Sequence, residues 1–155
     1  MSLVEFKNLS KNYGTKQALV DVNIKFEKGK IYGLLGPNGS GKTTMIKIIN
    51  DLLQPSGGEI LVNGKEPGIE SKKIISYLPE RTYLNMNMKV SELIQFFKDF
   101  YDDFDEEKAT KLLEKLKINK TDRLKNMSKG TKEKVQLIMV MSRKAELYIL
   151  DEPIG

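Results

Sequence analysis

Apolar and polar residues alternate along VEFKNL at 4–9 and again along VNIKF at 22–26, a period of two that predicts half-buried antiparallel strands. The run IYGLL at 31–35 is apolar on both faces and predicts a buried parallel strand. The period then changes. Met45, Ile46, Ile48, Ile49, Leu52 and Leu53 recur at helical spacing until Pro55, Gly57 and Gly58 stop the pattern. EILV at 59–62 reads as a short strand closed by the tight-turn pair Asn63-Gly64. From Ser91 to about Arg143 the pattern is helical. Ser91 is placed to cap a helix over 92–101, and Asp105 to cap one with Ala109, Leu112, Leu113 and Leu116 on its apolar stripe. Ser128 precedes a third helix with Val135, Ile138 and Met139 facing inward and Leu137 as a further inward candidate. LYIL at 147–150 predicts a second doubly buried strand, followed at once by Asp151-Glu152-Pro153. No repeat and no low-complexity tract interrupts this single mixed α/β pattern.

Composition narrows the chemistry. The 155 residues suffice for one domain with a core, and 39% hydrophobic with 30% charged residues marks a globular chain, not a disordered one. With no cysteine and no histidine there is no disulfide, thiolate metal site or imidazole base, so any general base is a carboxylate. The net charge of +5 comes from scattered lysines, which reads as a solvated surface and not as a nucleic-acid face. Glu5 and Lys7 stand where a signal peptide needs an apolar run, and no stretch approaches the roughly 18 apolar residues of a membrane span. A cytoplasmic chain is expected, peripheral at the inner face of the cell membrane if partner subunits hold it there.

Gly36, Pro37, Asn38, Gly39, Ser40, Gly41, Lys42 and Thr43 fit the spacing G-x-x-x-x-G-K-[ST] between a predicted buried strand and an amphipathic helix. Glycines there let successive backbone N–H groups converge on phosphate oxygens, and the helix N-terminus adds its dipole. Lys42 is expected to reach the β- and γ-phosphates of ATP, and the Thr43 hydroxyl to bind Mg²⁺. Asp151, at the end of a strand, is expected to hold the metal's outer coordination shell. Glu152, the next residue, is placed to polarise the attacking water.

Tyr13-Gly14, GPNGSGKTT at 36–44, ISYLPE at 75–80, NMSKGTKEKVQL at 126–137 and LYILDEP at 147–153 together resemble, in order and spacing, the motifs of ATP-binding-cassette ATPases. The resemblance spans the whole chain. It implies that Tyr13 stacks on adenine, that Thr44 belongs to the nucleotide loop, and that Ser128 and Gly130 meet the γ-phosphate of ATP bound to a second subunit. Glu80 stands where the family commonly has a glutamine that touches the metal through water. Lys129 adds a positive charge within the signature, which reads MSKGT in place of the usual LSGGQ. The family continues past its Asp-Glu pair into a strand ending in a switch histidine. The resemblance sets that strand between the one before Gly36 and the one before Asp151, so residues 1–155 alone are expected to be incomplete and inactive.

The expected architecture is therefore an α/β P-loop fold of the cassette-ATPase type, spanning 1–155. It combines an antiparallel N-terminal subdomain, a central parallel sheet and a helical subdomain inserted at 86–143. The expected function is ATP and Mg²⁺ binding, head-to-tail dimerisation with a second ATPase subunit, and hydrolysis that drives transmembrane permease partners, with no nucleic acid involved. Two rivals stand beside it: a soluble cassette protein acting on ribosomes or DNA, and an ATP-binding module without catalytic activity.

Overall fold

The structure, a computed structural model, describes residues 2–36, 40–79 and 84–151. The chain divides into two compact units, Met1–Ile75 and Ser76–Gly155.

In the first unit, β1 (Ser2–Tyr13) and β2 (Lys16–Glu27) form an antiparallel hairpin, and β3 (Gly57–Val62) pairs antiparallel with the other side of β1. Both period-two segments become strands. They run beyond the predicted ends because the pairs Asn12↔Gln17 and Tyr13↔Lys16 carry the ladder to the hairpin tip. The ladder slips near Asn8, which takes φ 49° and donates its N–H to Asn23 Oδ1 at 3.0 Å. There β3 approaches β1 so closely that a Cβ on Gly58 would lie 2.0 Å from the Asn8 carbonyl oxygen. Only glycine fits, and its φ of 75° suits glycine too. The Asn63-Gly64 turn closes with Val62 N donating to Lys65 O at 2.7 Å.

Helix α1 (Lys42–Ile49) packs on β2 and β3 and buries Met45, Ile46, Ile48 and Ile49. It stops before Leu52, which is exposed. The short helix α2 (Ile69–Ile74), which no periodicity announced, is fixed by an exchange at its start. Gly68 N donates to Ser71 Oγ, whose hydroxyl donates to Gly68 O.

The run at 31–35 does not form the expected strand. Ile31 is 102% and Leu35 96% exposed. An apolar run becomes a buried strand only when neighbouring strands satisfy its backbone, and none pairs with it among the described residues.

The second unit is mainly helical. Strand β4 (Ile75–Leu78), which starts at the boundary, pairs with β5 (Leu147–Leu150) in a two-stranded sheet. With one neighbour, β5 is half-buried and not doubly buried as its sequence predicts, and Leu150 is exposed. Helices α3 (Val90–Phe100), α4 (Glu106–Lys115) and α5 (Lys129–Met141) enclose a core of Val90, Leu93, Ile94, Ala109, Leu113, Leu124, Val135, Ile138 and Met139. Asp105 caps α4 as expected, its Oδ1 accepting from Lys108 N at 3.0 Å. Leu116, expected on the α4 stripe, is the C-cap and is exposed.

Ser91 does not cap α3. The helix begins two residues earlier than expected, at Val90, and Lys89 stands at the cap without a side-chain bond. First-turn amides normally need a cap because they lack intrahelical partners. Here the carbonyls of a distant loop accept from them, Asp122 O from Val90 N and Lys120 O from Ser91 N, each at 3.0 Å.

Candidate nucleotide site

The sharp turn into α1 is made by Gly41, whose φ is 96°. A Cβ on it would lie 2.8 Å from both the Ala18 carbonyl oxygen and Leu19 Cδ2, so the loop is seated directly on β2 and this position admits no side chain. At the front of the loop, a Cβ on Gly36 would lie 2.8 Å from Ser40 Oγ. Lys42, the first residue of α1, folds its ammonium back to donate to the Gly36 carbonyl. The one cation of the loop is therefore held over it by the loop's own backbone. Ser40 and Thr43 are exposed, and Thr44 is half-buried. A turn that admits no side chain at Gly41, leads into a helix N-terminus and carries a lysine and a threonine hydroxyl fits a phosphate chain with its magnesium ion.

Tyr13 ends β1 and is 45% exposed, so it is not a packed core tyrosine. Its hydroxyl lies 3.5 Å from Thr44 Oγ1, in the first turn of α1, and Lys11 Nζ lies 5.5 Å from its ring centroid. The β1–β2 hairpin thus brings an aromatic face to the helix that starts in the glycine-rich loop.

In the second unit, Ser128 occupies the N-cap of α5 and accepts from Thr131 N at 3.2 Å, with Thr131 Oγ1 at 2.9 Å. It, Lys129 and Gly130 are exposed, and the space beside Gly130 is open. Asp151 directly follows β5 and is buried, and its N–H donates to Leu78 O at 2.9 Å, continuing the β4–β5 pairing by one residue. Pro37, Asn38, Gly39, Glu80 and Glu152 lie outside the described residues. Sequence reasoning passed over Arg143, a buried cation between α5 and β5. Its partner Asp103 is 40 residues away, so no local pattern marks the pair. Among the described residues no helix is long and apolar enough to cross a membrane.

The sequence profile described as "ABC transporter" matches residues 19–155. The chain is 34% identical to the ABC transporter ATP-binding protein YtrB of Bacillus subtilis, an alignment covering 97% of this chain and 52% of that protein. It is also 34% identical to the SkfA peptide export ATP-binding protein SkfE of Bacillus subtilis, over 99% of this chain and 66% of the relative. The solved structure of an ATP-binding subunit of an ABC transporter superposes with a TM-score of 0.87 at 30% identity, covering 99% of this chain and 67% of that one. The chain therefore spans between about half and two thirds of the length of the curated relatives it matches. The fold is that of an ABC ATPase domain, a nucleotide-binding domain of mixed α/β type. With the glycine-rich loop, the Ser128-capped helix and the Asp151 strand in the order that the profile spans, the chain belongs to the ABC transporter family, among its ATP-binding proteins.

Proposed function

We propose that this chain binds ATP with Mg²⁺ and supplies the hydrolysing part of a transporter, coupling turnover to membrane-spanning permease subunits. The observation that carries the reading is the seat of the loop: Gly41 pressed onto β2, with Lys42 drawn over the Gly36 carbonyl. Lys42 meets the β- and γ-phosphates, and backbone N–H groups at the start of α1 donate to the phosphate oxygens. Residues 36–44 form the loop, and Tyr13 offers its face to adenine. Thr43, Asp151 and Glu80 are the residues that would hold the metal. Mg²⁺, when bound, would neutralise phosphate charge. Glu152 takes a proton from the attacking water as the new oxygen–phosphorus bond forms and the bond to the bridging oxygen breaks, releasing ADP and phosphate.

Residues 86–143 form the helical subdomain that presents Ser128 and Gly130 to ATP held by a second ATPase subunit. The assembly sits on the inner face of the cell membrane, and the permease partners set the cargo. The test is calorimetric titration of ATP with Mg²⁺ into the full natural chain, alongside Lys42→Ala and Glu152→Gln. Lys42→Ala should remove most affinity, whereas Glu152→Gln should bind ATP and lose hydrolysis. Unchanged affinity in Lys42→Ala sinks the reading, and hydrolysis at the parent rate in Glu152→Gln places the base elsewhere.

A further inference from the structure

Arg143 follows the C-cap of α5 and is only 5% exposed. Its Nε donates to Asp103 Oδ1 at 2.9 Å and its Nη2 to Asp103 Oδ2 at 3.1 Å. The guanidinium lies 3.9 Å from the centroid of the Tyr101 ring. This fork-on-carboxylate pairing, stacked on an aromatic face, fixes direction as well as distance, which an ammonium on a flexible stem does not. The backbone is pinned at the same place. Asp105 N donates to Ser142 O at 2.7 Å, and Lys144 N to Asp103 O at 3.0 Å. From the other side, the Tyr148 hydroxyl of β5 donates to Arg143 O and accepts from Ala145 N.

Residues 142–146 are the whole link between α5 and β5. They are held by the α3–α4 connection on one side and by β5 itself on the other. At the far end of α5 stands Ser128, and at the far end of β5 stands Asp151. A continuous helix and a paired strand transmit the orientation of this link to both ends.

We propose that Arg143 is a positioning residue for ATP hydrolysis: by locking the α5–β5 link onto Asp103 and Tyr101, it holds Ser128 and Asp151 at one fixed spacing. The proposal rests on the ATPase reading above. Misplacement by about 1 Å of groups remote from the reacting atoms costs on the order of 10²-fold in rate. ATP binding, carried mainly by Lys42 and the loop at 36–44, depends far less on that spacing than turnover does. A purely structural pair would instead lower stability without separating binding from turnover.

The experiment uses the full natural chain with its partner subunits, as parent, Arg143→Lys and Asp103→Asn. Arg143→Lys keeps the charge and loses the fork, while Asp103→Asn keeps the shape and loses the charge. In both, kcat should fall at least about tenfold while the KM and Kd for ATP stay within about twofold. Amide hydrogen exchange should quicken together at 129–132 and 149–151. An unchanged kcat, a fall in kcat that only tracks the folded fraction, or quickened exchange confined to 143–148 overturns the proposal. A parent that binds ATP but does not hydrolyse it sinks the ATPase reading and this proposal with it, whereas a hydrolysing parent with unaffected variants sinks this proposal alone.

Discussion

Gly41 is where a single atom decides the loop. Alanine there must accept both a left-handed backbone and a methyl 2.8 Å from the Ala18 carbonyl oxygen, so the loop has to lift from β2. Gly41→Ala should lower stability by about 1–3 kcal/mol and abolish ATP binding. Gly14→Ala is the control, because Gly14 is also left-handed, at φ 59°, but has open space beside it. It should cost only about 1–2 kcal/mol and leave binding intact. Thermal melts with ATP titrations check both, and equal effects on binding would show that the close approach at Gly41 does not matter. The loop was legible in the sequence because its backbone demands are written as residue types at fixed spacing. Tyr13 was legible only through resemblance, since its approach to Thr44 depends on where the hairpin ends. Arg143 was not legible, because the carboxylate it meets is distant in the chain.

At the level of elements, local causes were readable and distant ones were not. Asp105 and Ser128 cap their helices through bonds three residues long, whereas α3 draws its first-turn partners from a loop some thirty residues on. The antiparallel strands were readable from alternation, and the 31–35 strand was not realised because a strand is a property of its neighbours. Helices α3 and α4 are joined on their surface by Lys98, whose Nζ lies 2.7 Å from Glu106 Oε2. The hydrogen bond from Lys98 holds the Glu106 carboxyl below the ordinary glutamate range, against the opposing effect of burial, with the charges of Lys98 and Lys120 adding lesser contributions to the lowering. A carboxyl lowered in the folded chain stabilises above its unfolded pKa, and that contribution is lost as pH falls through the folded value. The pair is exposed, so the effect on stability is small and fades with salt. Titration of Glu106 by NMR should show the lowered value in the parent and a rise toward the ordinary range in Lys98→Gln. Identical titration curves would mean that the pair does not form in solution.

For the molecule as a whole, the feature with the widest effect is the apolar run at 31–35. Ile31 and Leu35 stand fully in solvent, with Tyr32 and Leu34 more than a third exposed. Exposed apolar backbone without strand partners invites pairing with another chain. Purified residues 1–155 should therefore self-associate, and Ile31→Lys with Leu35→Lys should reduce that association. Static light scattering across a dilution series reads the result, and equal association of parent and double variant would rule out this run as its cause. The two compact units bear on a different kind of measurement. Each has its own buried core, so unfolding need not be a single transition. The chain has no tryptophan, leaving its six tyrosines as the intrinsic fluorophores. Among the described residues, Tyr13 and Tyr32 belong to the first unit, whereas Tyr77, Tyr101 and Tyr148 belong to the second. Emission is thus weighted toward the unit that carries Ser128 and Asp151, and a melting curve followed by fluorescence under-reports the opening of the phosphate loop's own unit.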